Sequence, residues 1–149
     1  MPISEEHVGR SYPATDPYEV SRAKIAEFAA ALGDAAHPAY AGENPIAPPT
    51  FAVVLASHAW GPMFADPDLG LSLSRTVHVD QRFTWQRALR AGDVVSATLT
   101  IEKVRARGAT AIITIAVALV TSAGEPVCTA TSTLMHTGEA PETSGAEHA

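Results

Sequence analysis

Asp34 and His37 stand three residues apart in a stretch punctuated by glycine and proline, Gly33-Asp34-Ala35-Ala36-His37-Pro38-Ala39-Tyr40. A carboxylate and an imidazole are the side chains with which general acid–base chemistry holds and moves protons near neutral pH. The same letters also describe a solvated loop, with an acid just past a helix and a histidine before a proline. Tyr40 fits two roles equally, hydrogen-bonding a ligand or packing its ring beside a helix. His58 falls inside an apolar run, where an unpaired imidazole is costly. It is therefore expected to be hydrogen-bonded in the core or at an interface between chains. Gln81 falls on the apolar face of an alternating segment, and a buried amide needs partners. His78 falls on the opposite face and is expected to be exposed.

Other chemistries find little footing. Cys128 is the only cysteine, so no internal disulfide and no thiolate metal cluster can form; it reads as a small buried residue. The six histidines show no ligand spacing such as His-x-x-x-His with a carboxylate, so no metal is expected. No phosphate loop and no Ser-His-Asp constellation occurs, and no cofactor is implied. A formal net charge of −6 argues against nucleic acid or an anionic membrane as partner, since both need a basic face. Arg75, Arg82, Arg87, Arg90, Arg105 and Arg107 nevertheless cluster in one third of the chain. They read either as a patch for an acidic carrier protein or as solvated strand-edge charges. Met1 to Arg10 is polar and acidic, with no secretory apolar region. The stretch Ala109 to Val120 is too short to span a bilayer and is interrupted by threonines. These features lead us to expect a cytoplasmic protein.

The elements that would position these residues follow from periodicity. The chain has 149 residues, 46% of them apolar and 17% charged, which suits one domain with a sizeable core. Residues 1–137 read as that domain, and 138–149 as a disordered acidic tail. Ile25, Phe28, Ala29 and Leu32 fall at i, i+3, i+4 and i+7, a short amphipathic helix stopped by Gly33. Its start is open between two readings. Ser21 caps it after a short strand at Tyr18 to Val20, or Asp16, Pro17 and Glu19 serve as cap, first-turn proline and N3 acid. Thr50 to Trp60 has almost no polar face and predicts a buried helix, with Thr50 as cap and Gly61-Pro62 as its end. From Leu73 onward the period becomes two. Val77, Val79, Phe83 and Trp85 share one face, and His78, Asp80, Arg82, Thr84 and Gln86 the other. Strands over Val95 to Ile101, Ala111 to Val120 and Val127 to His136 follow, separated by Gly-containing turns. The second of these is apolar on both faces and belongs in mid-sheet. The pattern predicts an α+β fold of four long antiparallel strands joined by tight turns, with an apolar helix on one face.

Several segments together resemble one family. Asp16-Pro17-Tyr18-Glu19-Val20, Lys24-Ile25-Ala26-Glu27-Phe28-Ala29 and Gly33-Asp34 are similar to the opening of MaoC-like N-terminal dehydratase domains. Ile46-Ala47-Pro48-Pro49-Thr50-Phe51 looks like their lead-in to a central helix. His78-Val79-Asp80-Gln81-Arg82-Phe83 and Leu89-Arg90-Ala91-Gly92-Asp93 resemble a later strand and turn. Each motif alone is weak; their order and spacing over residues 8–136 carry the resemblance. The nearest likeness is to the A-type subunit of actinobacterial (3R)-hydroxyacyl-carrier-protein dehydratases.

The resemblance implies a hot-dog fold, an antiparallel sheet wrapped around a buried central helix, with two hot dogs side by side forming one continuous sheet. It implies an acyl-thioester substrate, carried by acyl-carrier protein or coenzyme A and lying along the central helix. Tyr40, Pro49, Thr50, Phe51, Val54 and His58 would then line its path. Catalytic relatives carry Gly-Asp-x-Asn-Pro-x-His after the first long helix. Here the Asn is missing and an extra residue precedes Pro38. Tyr40 thus stands where the catalytic histidine belongs, and His37 is the substitute at hand. The family's His-x-x-Gln element makes His78 and Gln81 supporting residues, with Gln81 bracing the catalytic loop. Three functions fit. The first is a substrate-binding subunit whose B-type hot-dog partner supplies Asp and His, in fatty-acid or reducing polyketide synthesis. The second is a homodimeric (R)-specific hydratase or dehydratase using Asp34 and His37. The third is a non-enzymatic acyl-thioester-binding protein.

Overall fold

The computed structural model describes residues 2–139. A short strand β1 (Tyr18–Glu19) leads into helix α1 (Arg22–Ala31), and a loop leads to two short helices, α2 (Ala52–His58) and α3 (Gly61–Ala65). Four long strands follow: β2 (Thr76–Trp85), β3 (Val94–Arg107), β4 (Thr110–Thr121) and β5 (Pro126–Thr137). All pair antiparallel in one sheet of order β1-β3-β4-β5-β2. α2 packs on the inner face against β3, β4 and β5. This is the α+β hot-dog architecture. No helix among the described residues is long and apolar enough to cross a membrane. Of the tail read at 138–149, residues 140–149 lie outside the described residues. Gly138 donates its N–H to the Ala109 carbonyl at 2.7 Å.

Local sequence explains the first helix. Ser21 is the cap, its hydroxyl accepting from the Lys24 N–H at 3.0 Å. Ile25 and Ala29 are buried, whereas Leu32, at the C-cap, is 49% exposed. Gly33 takes φ +83°, the left-handed conformation that lets its own N–H reach the Ala30 carbonyl and the Asp34 N–H reach that of Ala29. The central helix departs from the single run expected over Thr50 to Trp60. It opens with a 3-10 turn at Pro49–Phe51, and Thr50 is exposed and caps nothing. Two consecutive prolines remove the donors that a capped α-turn would use. Gly61-Pro62 ends α2 as expected but also starts α3, because proline is tolerated in a helix's first turn.

β4 is the middle strand, as its two apolar faces require. The neighbours of β2 correct the reading of sequential strands joined by tight turns. β2 pairs with β5, not with β3, so β5 is internal and β2 forms the outer edge. The connection after Trp85 crosses the end of the sheet. It is tied down by Ala47 N–H to Leu89 carbonyl, Gly92 N–H to Val20 carbonyl and Val20 N–H to Asp93 carbonyl. Ala91-Gly92-Asp93 is thus a turn that serves β1 and α1. Strand periodicity specifies which face is apolar but not which strand lies alongside.

A β-bulge corrects the face assignment within β2. His78 lies opposite Leu134, yet Asp80 lies opposite Thr133, so Val79 is the extra residue. One inserted residue reverses the alternation. Val77 and Val79 are 55% and 57% exposed. His78 lies on the side of Gln81, since their partners Leu134 and Ser132 are both buried, but His78 itself is exposed, as expected.

The two sheet edges are treated differently. An arm before β1 runs along β3, with hydrogen bonds from Gly9, Tyr12 and Thr15 N–H to the carbonyls of Ile101, Leu99 and Ala97. Arg10 donates to Asp66 at 2.8 Å and to Asp68 at 3.2 Å, and the Tyr12 hydroxyl donates to Asp66 at 2.7 Å. Burial, then the bond to Asp66, pushes the Tyr12 phenol up to about 12. The outer edge of β2 carries no such cover among the described residues.

Two outcomes test this account. Phe51 is wholly buried and meets Phe28 edge to face at 5.4 Å, joining α1 to α2. Phe51→Ala is expected to cost about 3–5 kcal/mol in urea unfolding; a loss below 1 kcal/mol would mean the two helices do not depend on this contact. The hydrogen bond from Tyr12, and next that from Arg10, holds the Asp66 carboxyl below its ordinary range. A depressed folded-state pKa contributes stability above the unfolded value of about 3.9, lost as pH falls through the folded value. Asp66→Asn is expected to flatten the unfolding midpoint against pH below about 4; an unchanged profile contradicts the assignment.

Candidate functional site

The loop after α1 holds Asp34, His37 and Tyr40. The Gly33 turn places Asp34 directly past the helix, and a further turn, His37 N–H to Asp34 carbonyl at 2.9 Å, sets His37 beside it. Both side chains are exposed. His37 Nδ1 accepts from the Ala39 N–H at 3.2 Å, capping the 3-10 turn Pro38–Tyr40. Its neutral ring therefore carries hydrogen on Nε2. The same ring stacks on Tyr40, with centroids 4.7 Å apart and planes at 28°. No hydrogen bond or ion pair among the described residues joins the Asp34 carboxylate to the His37 imidazole. Of its two expected roles, packing is the one visible within the chain: Tyr40 stacks on His37 and lies half-buried against the core. It also lines a shallow cleft of about 410 Å³ with Arg22, Ala26, Ala35 and Pro45.

The start of the central helix forms a second cleft, of about 270 Å³, where Pro49 and Ile46 face Trp85 and Arg87. Trp85 and Arg87 were not singled out from sequence as site residues; their partners across the cleft are some 40 positions away, and no local spacing announces them. Arg87 is fixed there by a two-toothed contact with Asp93 (2.8 and 3.0 Å) and by Glu125 at 2.8 Å. Those carboxylates raise its pKa further. Burial opposes the ionised Asp93, but the hydrogen bonds from Arg87 and the Arg90 N–H win and hold its carboxyl below the usual range. Arg87 is thus charge-balanced within the chain, and Arg75 pairs with Glu139 at 3.7 Å. Both leave the basic cluster read from sequence.

Along α2, Phe51 is buried, Val54 is half-buried, and Pro49 and Thr50 are exposed. Of the two places expected for His58, the core of this chain is ruled out and an interface between chains is left. His58 is exposed on the outer side of the helix, with its ring 5.8 Å from that of Tyr18. It borders a cleft with Asp16, Tyr18 and Pro62, about 12 Å of helix beyond Thr50.

Gln81 has the partners its position requires. Its Oε1 accepts from the Ser132 hydroxyl at 2.6 Å, and its Nε2 donates to the Thr131 and Arg82 carbonyls at 3.2 Å. These bonds fasten β2 to β5, and none of them joins Gln81 to the loop of Asp34 within this chain. His78 meets the Trp60 ring edge to face at 5.3 Å, a contact that the bulge at Val79 makes possible. Cys128 is buried, and burial lifts its thiol to about 11, leaving it unreactive at neutral pH.

Comparison with known proteins agrees with this geometry. Residues 6–130 match the family described as FAS1-like, dehydratase domain region. A UPF0336 protein of Cutibacterium acnes is 57% identical over 137 residues, covering 92% of this chain and 96% of the relative. The C-terminally truncated HadBC (3R-hydroxyacyl-ACP dehydratase) complex of Mycobacterium tuberculosis includes a chain that is 31% identical. It superposes with a TM-score of 0.74 over 87% of this chain and 96% of its own. A MaoC-like dehydratase superposes with a TM-score of 0.79 at 26% identity, over 90% of this chain and 43% of its own.

The Gln81 network yields a stability test. Gln81→Leu leaves the Ser132 hydroxyl, 1% exposed, without its acceptor and is expected to lower stability by about 1–3 kcal/mol. Urea unfolding of Gln81→Leu and Ser132→Ala, alone and together, should show strong non-additivity; additive losses would mean the two side chains act separately.

Proposed function

Because the chain belongs to the FAS1-like dehydratase-domain family and has the hot-dog fold, we propose that it is the substrate-binding subunit of a heterodimeric (3R)-hydroxyacyl-thioester dehydratase. Its substrate is an acyl chain on acyl-carrier protein or coenzyme A, in fatty-acid or reducing polyketide synthesis. The observation that carries this reading is the state of Asp34 and His37. They share one turn, yet the imidazole is engaged by the Ala39 N–H and the Tyr40 ring, and no hydrogen bond links it to the carboxylate. Dehydration needs a base at C2 and an acid for the departing hydroxyl, both aimed at one substrate. A loop in which the histidine already serves as a cap is a poor source of both.

In this reading a second hot dog supplies the Asp and His, and this chain shapes the acyl path with Tyr40, Pro49, Thr50, Phe51, Val54 and His58. The uncovered edge of β2 gives such a partner a place to continue the sheet. The likeness to a chain of the HadBC complex, itself an assembly of dehydratase subunits by name, points the same way.

Turnover of crotonyl and longer enoyl thioesters tests the proposal, first with the purified chain and then mixed with a hot dog that carries the intact Gly-Asp-x-Asn-Pro-x-His motif. The expected result is silence alone and activity on mixing, from a partner inactive by itself. Asp34→Asn and His37→Ala should leave the mixture within twofold of the parent. If the chain alone turns over, and either substitution removes about 10²-fold or more of the rate, the homodimeric hydratase reading replaces it. Tight thioester binding with no turnover in any mixture would make it a binding protein.

A further inference from the structure

A second feature with binding chemistry lies at the far end of the sheet from the central helix's start. His136, near the end of β5, is 6% exposed. Its Nε2 accepts from the Ser72 backbone N–H at 3.1 Å. An accepting nitrogen carries no proton, so the neutral ring holds its hydrogen on Nδ1. Burial, then the nearby charge of Arg75, lowers the pKa of this imidazole from its ordinary value, which favours that neutral form. No described residue accepts from Nδ1. Nor is that atom sealed away: among the described residues, the sealed side-chain nitrogen without a partner is Trp60 Nε1. His136 lines a cleft of about 490 Å³ between the N-terminal residues, the loop at Leu69-Gly70 and the β3–β4 hairpin. Small-molecule sites span about 300–1,000 Å³.

The cleft's walls define what would fit. Ile3 and Leu69 are apolar and 3% and 1% exposed. Ala106, Ala109 and Ala111 present only methyl groups, and that shortness is what leaves the space. The charges near the ring cancel: Glu139, on the rim, pairs with Arg75, which also donates to the Gly138 carbonyl at 3.3 Å. An ion gains little in such a place. A largely shielded donor that opens on a cleft and has no acceptor within the chain gains from a ligand acceptor that fits. His136 lies opposite Thr76, eight strand positions beyond the Cys128–Trp85 pair beside the Pro49 cleft, or about 26 Å.

We propose that this cleft is a second ligand site, taking a small uncharged molecule with an apolar body and a carbonyl oxygen that accepts from His136 Nδ1–H. The site owes nothing to the dehydratase reading, so each stands or falls without the other.

The test is an NMR titration of the ¹⁵N-labelled full chain with 2-hexanone. Its control is 2-methyl-1-hexene, in which a methylene replaces the carbonyl oxygen. The expected result is saturable shifts at the amides of Ala106 to Ala111 and Gly138, with movement of the His136 Nδ1 resonance. The alkene should bind at least tenfold more weakly. His136→Phe should abolish the preference for the ketone. Because that variant also removes the acceptor for Ser72, Ala106→Leu serves as a second probe. It fills the cleft from an exposed position and should weaken ketone binding while leaving the His136 resonances as in the parent. Equal affinity for ketone and alkene in the parent protein overturns the proposal. So does a silent titration, as does a set of shifts centred on the Pro49 cleft.

Discussion

The fold depends on a mismatch of size between one helix and one sheet. The seven residues of α2 give about 10 Å of helix, whereas β3, at 14 residues, extends about 46 Å. So short a helix can cover the apolar inner faces of β3, β4 and β5 only if the sheet bends around it. Leu99, Ile101, Ile113, Ile115, Leu119 and Leu134 converge with Phe51, Leu55 and Met63 into one core. Bulges at His78/Asp80 and Ile101/Lys103 break the regular pairing along the way, where a bulged strand can bend. α1 completes the cover through the Phe28–Phe51 contact.

Wrapping creates edges, and the chain deals with its two edges unequally. On the β3 side, the arm through Gly9, Tyr12 and Thr15 occupies carbonyls along the strand, and Arg10, Tyr12 and Asp66 pin the arm down. On the other side β2 exposes Val77 and Val79. An open strand with apolar side chains invites another strand. The proposed subunit role follows from this asymmetry together with the state of the loop after α1. One edge is closed by the chain itself, and the other is open where the proposed partner would add its strand.

The polar groups of the fold separate into two kinds. Arg87 with Asp93 and Glu125, and Gln81 with Ser132 and Thr131, are satisfied within the chain. They hold the crossing connection to the sheet and β2 to β5. Asp34, His58 and the Nδ1 of His136 have no side-chain hydrogen-bond or ion-pair partner among the described residues, and each faces solvent or a cleft. Ligand chemistry is to be sought in this second group.

Sequence alone determined what depends on near neighbours. Ser21 and Gly33 bound α1 because caps are written within a few residues of the helix they end. The two apolar faces of residues 111–120 placed β4 in mid-sheet, since alternation reports how many faces are covered. The segments resembling MaoC-like domains identified the family and its fold. Only tertiary structure decided the rest. β2 pairs with β5 because pairing is settled between strands some 50 residues apart, on which periodicity is silent. Val79 was read with the core yet is exposed, and His78 is exposed as expected; one bulged residue breaks the alternation between them, and a bulge leaves no reliable mark in an alternating string. His58 sits in an apolar run yet points outward, because a helix covered on one side by the sheet still has an outer side. Asp34 and His37 are adjacent on paper, but the chain spends the imidazole on capping a turn and stacking on Tyr40. Spacing states that two side chains can meet; the backbone between them decides whether they do.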